Sequence, residues 1–268
     1  SVSRMYIIRA RGNADPEGPF ELGGPIYNFG LVGEVLPLVG EGTPSNPAIA
    51  DVDFDGRPEF ALEAIAGLPV MYQLNPEVNP TAPVTISRAD NITFGPGSNS
   101  LDSPAFPLVN NGSFGKLDPS GDIAYVKGTA GFNFAFAFAE GGTRLVFDHH
   151  ISAWNMNPAS QSNGAQPFVE GFPQVVEDWQ FFMNPAVVDL TGDGLSEVVL
   201  GSGGYLVRAI DYQGNEAPGF PKFTGGWIIS SPAIGDLDGD GTFEVATATR
   251  NGRIYAWSTG ASTQNRLD

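Results

Sequence analysis

Residues 231–255 read SPAIGDLDGDGTFEVATATRNGRIY and contain the nine-residue loop 236–244, which has acidic residues at its positions 1, 3, 5 and 9. Carboxylates at this spacing can converge on one hard cation such as Ca²⁺, which binds oxygen ligands. Gly241, at position 6, permits the sharp turn that brings them together. The loop therefore predicts a divalent-cation site.

The same loop recurs twice with the same Pro-Ala leader. Residues 47–60 read PAIADVDFDGRPEF, and residues 185–198 read PAVVDLTGDGLSEV. The middle copy has Thr191 at position 3, where the other two have Asp. Three loops that share a leader and a Glu at position 9 form an internal repeat, and such a repeat indicates a repeat architecture.

An EF-hand also has acids at this spacing, but the sequence excludes it. An EF-hand needs a bidentate Glu at position 12 and a helix on each side. Position 12 here is Leu62, Leu200 or Thr247. The loops lead into EFALEA, EVVLGS and EVATAT, which are short and rich in β-branched or aromatic residues, as strands are. Each loop is therefore predicted to join two β-strands.

A degenerate copy lies between the first two clear ones, where residues 114–126 read FGKLDPSGDIAYV. Lys116 stands at position 1, Asp118 at position 3 and Ser120 at position 5. Two interpretations stay open: the lysine ammonium replaces the cation and satisfies the neighbouring oxygens, or the loop is a weakened calcium site.

The loops begin at residues 51, about 116, 189 and 236. The shortest interval, between the last two, fits one four-stranded blade of a β-propeller, and the longer intervals fit blades with inserted loops. We predict an all-β chain, a β-propeller or part of one, built of four-stranded antiparallel blades with DxDxDG calcium loops. Residues 1–268 are predicted to form a single propeller region, a fragment of a larger propeller, with approximate units 1–40 (partial), 41–104, 105–150, 151–204 and 205–268.

The repeats resemble FG-GAP or VCBS-type repeats, the calcium-loop blades of integrin α-subunit heads and of many secreted bacterial proteins. The GFP turn, the Trp-containing strand and the SPAIGDLDGDG leader are closer to the bacterial members. The resemblance is strong over 41–75 and 151–258 and weak over 76–150. It implies a β-propeller with each metal loop between the first two strands of a blade.

About three Ca²⁺ ions are expected, each held by side-chain oxygens at positions 1, 3, 5 and 9 and by the carbonyl at position 7. The predicted ligands are Asp51, Asp53, Asp55, Arg57 (carbonyl) and Glu59 in the first loop; Asp189, Thr191, Asp193, Leu195 (carbonyl) and Glu197 in the second; and Asp236, Asp238, Asp240, Thr242 (carbonyl) and Glu244 in the third. The apolar residues at position 2, Val52, Leu190 and Leu237, are predicted to point into the blade. Affinity should lie at roughly 10⁻⁴–10⁻³ M, as in extracellular modules.

Composition narrows the function classes. The net charge is −17 and the sequence has no basic stripe to contact phosphates, so nucleic-acid binding is disfavoured. There is no cysteine and no run of 18 apolar residues, so neither disulfides nor a membrane-spanning helix is expected. The chain has no signal peptide and begins at Ser1, which favours a mature or cleaved product, and calcium loops favour an extracellular, cell-surface or periplasmic location.

Other features have simpler interpretations. Phe132, Phe134, Phe136 and Phe138 alternate along one strand face and favour packing between blades. The sequence has no cysteine or third histidine that could complete a zinc site with His149 and His150. These two are therefore expected to be ordinary strand or loop residues. Arg9 and Arg208 occupy equivalent repeat positions, which favours a recurrent structural salt bridge or stem packing over a catalytic role. The inserted segments 76–104 and 155–174 are candidate partner sites.

The sequence favours a non-catalytic module, because no motif for a nucleophile, a zinc hydrolase or a phosphate-binding loop is present. The predicted function is a calcium-binding extracellular propeller that acts as an adhesion, protein–protein interaction or assembly scaffold. Its partner would be another protein or the rest of a larger chain or assembly. The alternatives are a carbohydrate-binding or calcium-dependent polysaccharide lyase propeller, and an accessory domain of a secreted protease.

Overall fold

The computed structural model of the chain describes residues 3–17, 26–28, 46–62, 69–74, 84–88, 104–106, 111–131, 149–160, 166–180 and 183–265. Regular structure in these residues consists of β-strands and two short 3-10 helices, Gly12–Ala14 and Pro158–Ser160. None of the described segments forms a helix long and apolar enough to cross a membrane.

The strands are short, as expected for a blade-type architecture. They are β1 (Ser3–Met5), β2 (Ile26–Asn28), β3 (Ala48–Ala50), β4 (Glu59–Leu62), β5 (Val70–Gln73), β6 (Val84–Arg88), β7 (Pro104–Phe106), β8 (Ser113–Gly115), β9 (Ala124–Gly131), β10 (His149–Asn155), β11 (Gln174–Val176), β12 (Ala186–Val188), β13 (Glu197–Gly201), β14 (Leu206–Ile210), β15 (Lys222–Phe223), β16 (Ala233–Gly235), β17 (Thr242–Ala248) and β18 (Ile254–Ser262).

These strands form successive antiparallel sheets. The first blade is β3-β4-β5-β6, and the third blade is β12-β13-β14-β15. The second blade is β8-β9-β10-β11, and β7 also pairs with β9. The fourth blade is β16-β17-β18, and β1 and β2 form a separate two-stranded sheet. The predicted fold class, an all-β array of antiparallel propeller blades, is confirmed.

The sheets group the strands in a different phase from the predicted units. The second blade runs from β8 to β11 and so crosses the predicted boundary between 105–150 and 151–204. The third blade likewise extends past residue 204 to β15. A repeat period marks the interval between equivalent residues but not where one sheet ends, and this accounts for the difference. The assignment of 1–268 to a single region stays a prediction.

Each blade has two faces. We call face A the side that carries the residue at loop position 9, and face B the opposite side. Face A of the first blade carries Ala61 and Met71, which pack in one buried cluster with Tyr125 and Trp154 from face B of the second blade. Successive blades therefore stack with face A of one against face B of the next.

A larger buried cluster joins the second, third and fourth blades. It includes Val126 from face A of the second blade, Val198 from face B and Val199 from face A of the third, and Val245 from face B of the fourth. The first strands of neighbouring blades are in contact, β3 with β8, β8 with β12 and β12 with β16. The Ser113 hydroxyl donates a hydrogen bond to the Pro185 carbonyl at 2.7 Å, which links the second blade to the third. The blades therefore follow chain order around the array.

The predicted Phe132–Phe138 strand face lies outside the described residues, as does most of the inserted segment 76–104. His149 and His150 lie in β10, as strand residues.

Candidate metal centre

All three clear loops connect the first two strands of a blade, as the repeat predicts. The loop of the first blade lies between β3 and β4, that of the third blade between β12 and β13, and that of the fourth blade between β16 and β17. The Glu at position 9 pairs in each case with the last residue of the first strand. The sheet ladder therefore fixes both ends of each loop.

The first recurrent bond closes the loop across its turn. The carboxylate at position 1 accepts a hydrogen bond from the glycine N–H at position 6, which has a positive φ. The N···O distances are 2.9 Å for Asp51 and Gly56, 2.8 Å for Asp189 and Gly194, and 3.0 Å for Asp236 and Gly241. A residue with a side chain rarely adopts this conformation, so the position requires glycine.

The second recurrent bond ties the end of the loop to its start. One carboxylate oxygen of the Glu at position 9 accepts a hydrogen bond from the backbone N–H at position 2. The distances are 2.9 Å for Glu59 and Val52, 2.6 Å for Glu197 and Leu190, and 2.8 Å for Glu244 and Leu237. The first and last acidic residues of each loop are thus positioned by backbone hydrogen bonds.

In two loops the carboxylates converge. The nearest oxygens of Asp51, Asp53 and Glu59 lie within 4.8 Å of one another, and those of Asp236, Asp238 and Glu244 do the same. The Asp at position 5 stands outside these groups. Asp55 and Asp240 each accept a hydrogen bond from the backbone N–H at position 7, at 2.8 and 2.7 Å. Three of the four predicted side-chain ligands are therefore grouped in each loop, and the fourth is directed to the backbone.

Two buried carboxylate oxygens in these groups have no hydrogen-bond partner. They are Oδ1 of Asp51 and Oε1 of Glu244. An unpaired buried anion is costly, and a bound cation would remove that cost. Ca²⁺ prefers oxygen ligands, and both groups offer only oxygens. The residues of loops 51–59 and 236–244, in the first and fourth blades, therefore fit this ion.

The loop of the third blade is arranged differently. Oδ1 of Asp189 accepts hydrogen bonds from the backbone N–H groups of Thr191 and Gly192, at 3.1 and 2.5 Å. The Thr191 hydroxyl donates to Glu197 at 3.3 Å. Burial raises the pKa of Glu197 to about 7, and the charges of Asp189 and Asp193 add to this effect. Among the described residues, the acids of this loop do not form a converged group.

The degenerate loop of the second blade lacks both end carboxylates. Gly115 pairs with Ala124, so alanine occupies the place of the position-9 Glu, and Lys116 occupies position 1. Asp118 keeps its bond to the N–H two residues on, at 2.9 Å. Counting nine residues from Lys116 also gives Ala124 at position 9, and the strand register agrees with that count.

In that loop, Asp122 is the carboxylate on which several side-chain hydrogen bonds converge. Its carboxylate accepts hydrogen bonds from the side chains of Asn155, Asn157 and Ser160, at 2.7, 2.7 and 2.9 Å. Burial raises the pKa of Asp122, but the three donors outweigh burial and hold the pKa below its ordinary value. These donors provide the partial positive charge that a cation would otherwise supply.

Gln73 is a further residue of the first loop's site that no local motif predicts. This residue pairs with Glu59 across the sheet, and its amide donates hydrogen bonds to Glu59 Oε1 at 2.7 Å and to Asp55 Oδ2 at 3.1 Å. Burial raises the pKa of Glu59 above its usual value. Gln73 and Asn155 both stand opposite position 9, in the first and second blades. A polar residue opposite loop position 9 therefore marks this kind of contact. The sequence shows such a residue only when the paired strands are aligned.

The predictions for position 2 are correct in the first blade and wrong in the fourth. Val52 is buried at 0% exposure and Leu190 packs against the core, but Leu237 is 62% exposed. The difference arises because a second blade covers Val52, whereas in the fourth blade no described residue covers the corresponding position.

The predicted salt bridge is present in both copies. Arg9 pairs with Glu17 at 2.9 Å, and Arg208 pairs with Glu216 at the same sequence separation. Arg208 also donates to Glu177, which follows β11, at 2.8 Å. Arg9 therefore holds a local turn, and Arg208 also connects the third blade to the second.

One further contact joins the end of the described chain to a loop. The side-chain amide of Asn265, which follows β18, donates a hydrogen bond to the carbonyl of Asp189 at 3.1 Å. The segment after the fourth blade thus holds the first residue of the loop in the third blade.

The sheet topology and the loops define a repeat protein of the β-propeller class. Within it, residues 179–247 match the family model of the FG-GAP-like repeat. The match includes the loops of the third and fourth blades and confirms over those residues the resemblance seen in the sequence. A search of curated proteins finds no match to the chain.

Solved structures similar to this chain include BBS1N in complex with ARL6DN and Saccharomyces cerevisiae Sqt1. The first has 13% identity and a TM-score of 0.45, and the alignment covers 87% of this chain and 56% of that one. The second has 12% identity and a TM-score of 0.38, with 85% and 62% coverage. This chain therefore spans little more than half the length of the first of these proteins.

Proposed function

We propose that the chain is a calcium-stabilised, non-catalytic β-propeller module that serves as a scaffold for adhesion, protein–protein interaction or assembly. Its place is extracellular, at the cell surface or in the periplasm. Its partner is another protein or the remainder of a larger chain or assembly.

The calcium assignment rests on one observation. Oε1 of Glu244 is buried without a hydrogen-bond partner and lies in a group with oxygens of Asp236 and Asp238. The other oxygen of Glu244 is already bound to the loop backbone. The group therefore has negative charge and lone pairs in excess of its donors, which a divalent cation balances.

The role of the ion is structural. Each loop joins the first two strands of a blade, so a bound ion stabilises the hairpin on which the blade is built. The chain has no cysteine and a net charge of −17, and three Ca²⁺ would bring that charge to −11. Millimolar calcium outside the cell matches loops of this affinity class. The clustered acids are accounted for as ligands, which supports a non-catalytic function.

The proposal is tested by counting bound calcium and by thermal unfolding in calcium and in excess EGTA. About three ions per chain are expected, two of them at the loops whose carboxylates converge. For a Kd of about 10⁻⁴ M, about 10 mM calcium is about 100 times the Kd and contributes about 2.7 kcal/mol, which corresponds to a Tm rise of about 5–10 °C per site for a chain of this size.

Glu244→Gln is the matched variant, because it keeps the size of the side chain and removes one charge from the group. It should release one ion and lower the Tm in calcium, with a smaller effect in EGTA. Glu170→Gln, at an exposed residue outside the loops, is the control. Equal calcium binding by the Glu244→Gln variant and the unmodified chain would refute the assignment. Calcium-dependent cleavage of an acidic polysaccharide by the pure protein would refute the non-catalytic role.

A further inference from the structure

The fourth blade differs from the others on face A. In the third blade, face A carries Val199, Val207 and Ala209, all at 0% exposure. Counting along the ladder from the position-9 Glu, Val207 corresponds to Ile254 and Ala209 corresponds to Ala256. Ile254 is 80% exposed, and Ala256 is exposed as well.

The exposed surface is apolar and continuous. Ladder pairs place Ala233 beside Ala246, Ala246 beside Ala256, and Ala248 beside Ile254, all on face A. Ala233 and Ala256 are exposed, and Ala246 and Ala248 are half-buried. Leu237, at loop position 2 of the same blade, is also exposed. An apolar patch of this kind on one sheet face is characteristic of a contact surface.

The equivalent surfaces of the preceding blades identify the kind of occupant. Face A of the first blade, with Ala61 and Met71, is covered by face B of the second blade. In the third blade, Ile228 lies directly over Gly201, 2.5 Å from where a Cβ would stand. Ile228 leads into the fourth blade and bridges to Thr249 there. In each case the cover is the next blade in chain order.

A second feature points the same way. The first and third blades have four strands, whereas the fourth has three among the described residues, so β18 has an open outer edge there. In the third blade the strand on that edge, β15, belongs to the connection that leads to the next blade. One added repeat unit would therefore supply both the fourth strand and the cover that the described part of the chain does not provide.

We propose that face A of the fourth blade is the docking surface for a further blade of the same calcium-loop repeat, joined in sequence as the described blades are. That blade presents large apolar side chains on its face B, at the positions of Phe243 and Val245. The inference deepens the scaffold function and rests on it: the partner is a blade, and the surface is Ala233, Ala246, Ala248, Ile254 and Ala256.

The test uses the full chain and an extended variant in which a second copy of residues 211–268 follows Asn265. That copy begins where the connection from the third blade to the fourth begins. The substitution Ile254→Asp is introduced in both proteins, in the original fourth blade only. Val175→Asp, at a residue of β11 that is 60% exposed, is the control in both.

Ile254→Asp should leave the Tm of the unextended chain within about 1 °C, because the side chain is exposed, and should lower the Tm of the extended chain by about 5 °C or more. Val175→Asp should have the same small effect in both. An equal effect of Ile254→Asp in the two proteins overturns the inference, whether or not the added unit folds.

A second copy of this chain is the alternative occupant of the surface. Sedimentation of the unextended chain in millimolar calcium tests this alternative. Self-association that Ile254→Asp abolishes would assign the surface to a second copy of this chain and overturn the inference. The calcium dependence of the Tm, measured in the same samples, reports on the proposed function separately.

Discussion

Glu244 accepts a hydrogen bond from the backbone N–H of Leu237, seven residues before it in the chain, at 2.8 Å. The equivalent Glu of the other two clear loops makes the same bond. The second carboxylate oxygen differs between the loops. It accepts a hydrogen bond from Gln73 in Glu59 and from Thr191 in Glu197, and it has no hydrogen-bond partner in Glu244. The loops therefore share one backbone arrangement and differ in what stabilises the buried charge.

Gly241→Ala should destabilise the fourth blade by roughly 1–2 kcal/mol, because an L residue pays this cost in the left-handed region. Gly241 has φ +85°, and a Cβ there would meet nothing within 4 Å, so the effect is conformational. Denaturant unfolding in calcium measures it. The control is Gly235→Ala, where a Cβ also meets nothing but no positive φ is required. Equal stability of the two variants would contradict the prediction.

Gln73→Met should cost about 1–3 kcal/mol in EGTA, because the buried carboxylate of Glu59 and the exposed carboxylate of Asp55 lose a donor. The cost should be smaller in calcium, where the ion supplies the positive charge that Gln73 otherwise provides. The free energy of unfolding, measured in both conditions, gives the difference. Gln213→Met, at an exposed residue, should show no calcium dependence. A Gln73→Met loss that is the same with and without calcium would show that the amide and the ion act independently.

Asp122→Asn should destabilise the second blade by about 1–3 kcal/mol at pH 7, since the charged carboxylate accepts three hydrogen bonds. The pKa of Asp122 is lowered in the folded state, so its contribution is present above the unfolded pKa and is lost as the pH falls through the folded pKa. The difference between the unmodified chain and the variant should therefore shrink in acid, below the ordinary Asp value.

This effect should not depend on calcium, because the donors of the second blade are side chains. Unfolding free energies in EGTA and in calcium, at pH 7 and at acidic pH, test the point. A variant that is destabilised only when calcium is present would indicate that Asp122 is a metal ligand.

Local sequence was sufficient to predict the loops and the strands beside them. Position-specific acids, Gly241 and the β-branched residues after Glu244 act over fewer than ten residues, so their structure follows from short-range chemistry. Gln73 and Asn155 could not be predicted in the same way, because their position opposite loop position 9 depends on strand register. The exposure of Leu237 depends on what packs against the fourth blade, which lies beyond the range of any local pattern.

The bond from Asn265 to the Asp189 carbonyl connects the segment after β18 to the first residue of the loop in the third blade. The ion proposed for the fourth blade would order β17, which pairs with β18, and β18 leads directly to Asn265. Filling that loop therefore favours the arrangement in which the loop of the third blade is already held. Linkage is reciprocal, so an ion in the third blade raises the affinity of the fourth by the same factor. We therefore expect the proposed ions to bind these two blades cooperatively, so that both blades become ordered over the same range of calcium concentration.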